Sequence, residues 1–288
     1  GARTVVIATG RNWPDALGGS SLAGALDGPI LLVDTHSVPA QVASEIARLG
    51  AQKAIILGGT AAVGTEVETA LKTQLGDADV TRISGANRYE TADKVAVKVI
   101  ELAGSSYDGT AFVATGGKFP DALGAAPLAA ANVWPLYLAN PTTGLSAATK
   151  SAMDGVVSVL ILGGTAVVSS DVETYLSTTY GDADVTRLAG SDRYETAVKV
   201  ATWGVDNAGL GWNRVAIATG LNFPDALAGG VLQGKVGSVM LLTKPDSLNS
   251  YTQAALTAHK ADITTVTFFG GLGALPQTVR DEVAAALE

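Results

Sequence analysis

Three aspartates recur in one setting: Asp15 in NWPDALGG, Asp121 in KFPDALGA and Asp225 in NFPDALAG, spaced 106 and then 104 residues apart. Each follows an apolar, strand-like phrase (VVIATG, FVATG, VAIATG), so each carboxylate stands in a loop beyond a strand end, where open α/β sheets bind ligands. A Pro-Asp pair at a helix start also has a structural use, because it supplies a fixed φ and a negative charge at the positive end of the helix dipole. Catalysis is the weaker reading, since an enzyme has little use for three equal carboxylates with no base, nucleophile or metal ligand beside them. Asn12, Lys118 and Asn222, two residues ahead of each proline, join the aspartates as candidates for holding a ligand.

Two arginines point the same way. Arg88 and Arg193 follow Asn87 and Asp192 in ANRYETA and SDRYETA, where the Asn or Asp reads as an N-cap and the Glu three residues on as its capping-box partner. A cation in the first helical turn is disfavoured by the dipole, so something anionic is expected beside it. A protein carboxylate, the PDAL aspartate among them, would serve; so would an acidic polysaccharide held by the guanidinium and free helix N–H groups. Arg82 and Arg187, six residues earlier in each copy, would enlarge the cluster.

Other chemistry finds no residues. The chain has no Cys, which excludes disulfides, thiolate metal sites and a Cys nucleophile. GxSxG, GxxxxGK[ST] and HExxH are absent, and the glycines of IATGRN and ILGGTA lack the GxGxxG spacing of a dinucleotide site. His36 and His259 have no counterparts in the other copies and no metal-ligand neighbours, and are expected to be solvated. No catalytic residue, metal site or cofactor is expected. A formal charge of −8 gives no basic field for phosphates, so nucleic acid is not an expected partner.

The elements that position these residues repeat with them. LGGTAAVGTEVE begins at Leu57 and LGGTAVVSSDVE at Leu162, with a decayed FGGLGALPQTVR at Phe269; RISGANRYETADKVA and RLAGSDRYETAVKVA begin at Arg82 and Arg187. A period near 105 residues is a whole folding unit. Within it TVVIATG, PILLVD and KAIILGG are short apolar runs, as in parallel strands covered on both faces, and helical patterns lie between them. The PDAL helix is rich in residues without bulk and can approach a neighbour closely. The RYET helix carries an apolar stripe, Ala92, Val95, Ala96, Val99 and Ile100, matched by Ala197, Val200, Ala201 and Val205. Thr65 with Glu68 and Ser170 with Glu173 have capping-box spacing at the next helix. The charge-free stretch between Asp121 and Lys150 is interrupted by prolines and reads as a buried helix and strand, not a membrane span.

The expected units are 1–81, 82–186 and 187–288. Three PDAL phrases accompany only two RYET phrases, so an RxxGxxRYxTA helix is expected to be missing from the first unit. Residues upstream of Gly1, or a segment of another chain, would fill its place, the latter by self-association.

Taken in order, RLAGSDRYETAVKVA, a strand with NFPDALAGG, PILLVD and KAIILGGTAAV, the chain resembles the cell wall binding repeat 2 family, found in threes in surface proteins of Gram-positive bacteria. The resemblance covers essentially the whole chain. It implies three tandem Toprim-like, Rossmann-like α/β modules with short parallel sheets in a pseudo-threefold arrangement. It implies a non-catalytic, extracellular anchor that binds an anionic polysaccharide of the cell wall. A structural surface-array subunit without polymer affinity and a solute- or sugar-binding α/β protein are the alternatives.

Overall fold

A computed structural model describes all residues, 1–288. The first sheet is built from β1 (Thr4–Thr9), α1 (Gly19–Ala25), β2 (Ile30–Val33), α2 (Ala40–Leu49), β3 (Lys53–Leu57), α3 (Thr65–Leu75) and β4 (Val80–Ile83). Its strands are parallel and lie in the order β2-β1-β3-β4. Helix α4 (Arg88–Ala103) leads into β5 (Thr110–Thr115), α5 (Pro120–Leu123), α6 (Ala126–Asn132), β6 (Leu136–Ala139), α7 (Ala147–Ala152), β7 (Ser158–Leu162), α8 (Ser170–Tyr180) and β8 (Val185–Leu188), with the matching order β6-β5-β7-β8. Helix α9 (Arg193–Asn207) then leads into β9 (Gly211–Thr219), α10 (Pro224–Lys235), β10 (Ser238–Thr243), α11 (Ser250–Ala258), β11 (Thr265–Phe269) and α12 (Gln277–Leu287); this third sheet has only β10-β9-β11. The central strands are dry on both faces, Val5, Val6 and Ile7 in β1 being fully buried, which is why they read as unbroken apolar runs. No helix is long and apolar enough to cross a membrane, and the charge-free stretch after Asp121 folds as α6 and β6.

The three PDAL segments meet at the centre. Helices α1, α6 and α10 pack on one another through small residues. A Cβ on Gly24 would sit 2.1 Å from the Ala130 carbonyl oxygen, one on Gly230 2.4 Å from the Ala126 Cβ, and one on Gly234 2.4 Å from the Pro127 carbonyl oxygen. Pro120 and Pro224 start helices as expected, whereas Pro14–Leu17 form turns and the first helix begins only at Gly19.

The units hand over through the RYET segment. β4 closes the first sheet, yet α4 packs on β6 and α7 of the second; β8 closes the second sheet, and α9 packs on β10 and α11 of the third. The boundaries expected at 81/82 and 186/187 therefore fall inside β4 and β8, and each sheet ends a few residues later. The apolar stripe of α4 is buried at Ala92, Val95, Ala96 and Val99. Asp93, at the place of Val198 in the copy, is also buried there. Its Oδ2 accepts from the Thr149 hydroxyl at 3.0 Å, and burial pushes its carboxyl up to about 6.

Arg82 on β4 locks the strand in place: it pairs with Glu68 on α3 at 2.8 Å and donates to the Gly58 carbonyl at 2.7 Å. Arg187 repeats this with Glu173 and the Gly163 carbonyl. The capping boxes expected from Thr65–Glu68 and Ser170–Glu173 do not form, because both glutamates are drawn to these guanidinium groups; Gly64 and Ser169 are the N-caps. In the third unit no such strand lies beside β11, and Arg280 stands where the other units have Glu68 and Glu173. Its own guanidinium donates to the Gly270 carbonyl at 3.0 Å and lies over Phe268. The charge has changed sides, while the carbonyl keeps its cationic donor.

Two outcomes test this packing. Gly230→Val, which drives side-chain atoms into Ala126, should cost about 3 kcal/mol in urea unfolding, whereas Gly164→Ala, in open space, should be nearly neutral. Arg280→Glu restores the residue of the other two units but leaves a carboxylate facing the Gly270 carbonyl, and should lower stability by about 2 kcal/mol; an unchanged urea midpoint would show that the arginine is dispensable.

Candidate functional site

At the C-terminal ends of the first sheet's strands the PDAL loop, the Gly-Gly loop and the start of the RYET helix converge on a crevice, and the second unit repeats the same three segments. In the first unit this is a space of ≈ 330 Å³ lined by Arg11, Asn12, Asp15, Thr35, Asn87 and Arg88, among others. The strand-end threonines hold the loop: Thr9 Oγ1 accepts from the Arg11 N–H at 3.1 Å, and Thr115 and Thr219 do the same for Gly117 and Leu221. Asn12 and Asn222 turn their side-chain oxygens back onto the N–H groups of Trp13 and Phe223.

The aspartates sit deeper. The Oδ2 atoms of Asp15, Asp121 and Asp225 lie 2.8, 2.7 and 2.7 Å from where a Cβ would project at Gly58, Gly163 and Gly270. Those glycines have φ of 96°, 97° and 111°, so the first glycine of each Gly-Gly phrase is required twice over, for its backbone conformation and for the carboxylate above it. Burial raises the Asp121 carboxyl, against which the Thr196 hydroxyl and the charges of Arg193 and Lys118 pull it down. Asp121, Lys118 and Arg193 therefore share one electrostatic site, as Asp15, Asn12 and Arg88 share a crevice.

Arg88 and Arg193 make no ion pair with any carboxylate. Each donates one nitrogen to the strand end of the sheet that its helix covers, Arg88 to the Gly116 carbonyl at 2.8 Å and Arg193 to the Gly220 carbonyl at 2.6 Å. Arg88 also lies 5.0 Å over the Trp13 ring. The side chains of Asn87 and Asp192 cap the helices beside them, each accepting two N–H bonds, while Glu90 and Glu195 reach one residue past the N-cap, to the N–H groups of Ala86 and Ser191, so the reciprocal half of the expected capping box is displaced by one residue. By contrast Arg82 and Arg187 are committed within the fold, their side chains only 14% and 13% exposed.

An aromatic cluster lies among the crevices: Trp13, Phe119 and Phe223, the residues before each PDAL proline, with centroids 6.0 and 6.1 Å apart. The recurrence of an aromatic at that position was visible in the sequence; that the three would meet was not. The strand ends of the third unit differ from those of the first two. They have Asp225 and Asn222 but no RYET arginine, and Leu221 and Leu272 are exposed there. No three His, Asp or Glu side chains gather in a way that would hold a metal ion. His36 is exposed beside Glu66, whereas His259, expected in solvent, stacks on the buried Trp212 ring at 4.0 Å.

The family model "Cell wall binding domain 2 (CWB2)" matches residues 2–68, 82–173 and 187–280. N-acetylmuramoyl-L-alanine amidase LytC of Bacillus subtilis is 30% identical over 86% of the chain and 47% of its own length. The amidase enhancer of the same organism is 29% identical over 98% of the chain and 36% of its own length. Among solved structures, Cwp6 from Clostridium difficile superposes with a TM-score of 0.88 at 24% identity, over 100% of the chain and 44% of its own. Cwp8 from Clostridium difficile superposes with a TM-score of 0.84 at 25% identity, over 99% and 47%. The chain spans less than half the length of each of these relatives. Three parallel α/β units, each with its own copy of the repeat, make this chain a member of the cell wall binding domain 2 family.

Proposed function

We propose that the chain is a non-catalytic anchor that holds its polypeptide at the outer surface of a Gram-positive cell by binding an anionic polymer of the wall in the cationic crevices. The observation that carries this reading is the state of Arg88 and Arg193. Both are half-buried at helix N-termini without a carboxylate partner, and each spends one nitrogen on a strand-end carbonyl of the sheet that its helix covers. The remaining guanidinium donors face a crevice that also offers an asparagine or a lysine, the composition that suits a sulfate-, phosphate- or carboxylate-bearing sugar. With the chain at −8 overall, attraction must be local, and the polymer would take two or more weak contacts at once, gaining avidity without a strong single site. Arg82 and Arg187, held by Glu68 and Glu173, are assigned the structural part of the cluster. The aspartates are assigned to shaping the loop, with their charge limiting how strongly any one crevice holds an anion.

Binding to purified wall should fall as salt rises and should be lost when the anionic polymer is stripped from the wall. Arg88→Ala and Arg193→Ala should each weaken it ~10-fold, and the double variant by more than either, with an unchanged circular dichroism spectrum. A folded double variant that binds like the parent would place the polymer elsewhere. Equal affinity for stripped wall would favour recognition of peptidoglycan, and no affinity for either would favour a purely structural subunit.

A further inference from the structure

Arg88 and Arg193 occupy equivalent positions but are held in different ways. Each gives one terminal guanidinium nitrogen to a strand-end carbonyl, Gly116 for Arg88 and Gly220 for Arg193. That bond fixes where the group sits and leaves its plane free to turn. For Arg88 the plane is held as well, by the Trp13 ring, whose centroid lies 5.0 Å from the guanidinium carbon. Arg193 has no ring partner: the residue at the place of Trp13 is Phe119, and no cation lies over it. Its stem is supported instead, the Cδ standing 3.1 Å from where a Cβ would project at Gly220.

Trp13 does not line the crevice of the first unit. Arg88, Asn12 and Asp15 do, and so does Arg11, but the Arg11 guanidinium is paired with Asp34 at 2.6 Å. Arg88 is therefore the crevice's one cation without a carboxylate. Behind it Trp13 is half-buried against the core and meets Phe119 at 6.0 Å, which makes the indole a fixed platform. An arginine side chain has several rotatable bonds, and ordering them on binding costs affinity; a ring that orders them beforehand removes that cost. Tryptophan does this better than phenylalanine. In the second unit Lys118 stands at the place of Asn12, a mobile point charge where the first unit has an oriented fork.

We infer that Trp13 is a positioning residue for the first crevice: it holds the Arg88 guanidinium in one plane, so that a carboxylate or phosphate meets a donor fork already in place. The inference rests on the reading that these arginines hold an anionic polymer, and it makes the two cationic positions unlike. The first selects an oxyanion by geometry; the second attracts it by the added charge of Lys118.

The test uses the full chain with Trp13→Phe, which gives the first unit the residue of the other two, and with Trp13→Leu. Inorganic phosphate is titrated while the arginine Nε–Hε resonances are followed. Trp13→Leu should weaken phosphate binding at Arg88 ~5-fold and Trp13→Phe ~2-fold, with Arg193 unchanged and the ring-current shift of Arg88 lost in the leucine variant. On purified wall, Trp13→Leu should cost ~5-fold in the parent and nothing further in the Arg88→Ala background, as expected of a residue that acts through the arginine. Unchanged affinity in a folded Trp13→Leu, weakening at Arg88 and Arg193 alike, or an equal loss in the Arg88→Ala background would each overturn the inference. Should the leucine variant not fold, the phenylalanine variant carries the same comparisons. Arg88→Ala that binds wall like the parent would remove the polymer reading and leave the phosphate titration to decide the role of Trp13; a loss in Arg88→Ala with none in either Trp13 variant would sink this inference alone.

Discussion

The arrangement depends on how closely three helices can approach. α1, α6 and α10 are rich in Gly and Ala, and at Gly24, Gly230 and Gly234 the neighbouring backbone or Cβ stands where a side chain would begin. Packing at that distance fixes each PDAL helix relative to the other two, and since each helix leaves its sheet at the strand ends, the loops before it converge. The meeting of Trp13, Phe119 and Phe223 follows from that one contact. A bulkier axis would separate the units and pull apart the aromatic side chains that meet between them.

Around this axis the units are tied by a segment that belongs to two of them. Its strand is held electrostatically, Arg82 to Glu68 and Arg187 to Glu173, and its helix by apolar burial on the neighbouring sheet. Between the two lies a loop whose arginine reaches the strand-end carbonyl of the next sheet. The same few residues thus close one sheet, begin the cover of another and form one wall of the crevice. That economy explains why Arg88 and Arg193 tolerate the unfavourable end of the helix dipole: a carbonyl and, for Arg88, the face of Trp13 offset part of the cost while leaving donors free.

Much of this was legible in the residues. The 105-residue period, the strand phrases, the bulk-free helix, the RYET stripe and the caps at Asn87 and Asp192 all follow from local chemistry, and the structure carries each of them. What could not be read locally is partnership. The spacing of Thr65–Glu68 is that of a capping box, yet a guanidinium fourteen residues further on is the better partner for the carboxylate. An apolar stripe shows that α4 is buried, but not that its sheet is the next one. The arginine expected beside an aspartate found a carbonyl instead, since the aspartate is withdrawn against a glycine of its own unit. Conversely, the loss of the Glu at position 280 looked like decay, and the structure shows it to be a charge transfer that suits a sheet one strand short.

The central claim is that the crevice arginines meet the wall polymer while the sheet-edge arginines only hold the fold. Arginine Nε–Hε resonances of the labelled protein, followed during titration with soluble fragments of the anionic polymer, separate the two sets directly. The account predicts saturable shifts at Arg88 and Arg193 with Arg82 and Arg187 unmoved; shifts confined to Arg82 and Arg187, or to neither pair while binding saturates, would contradict it.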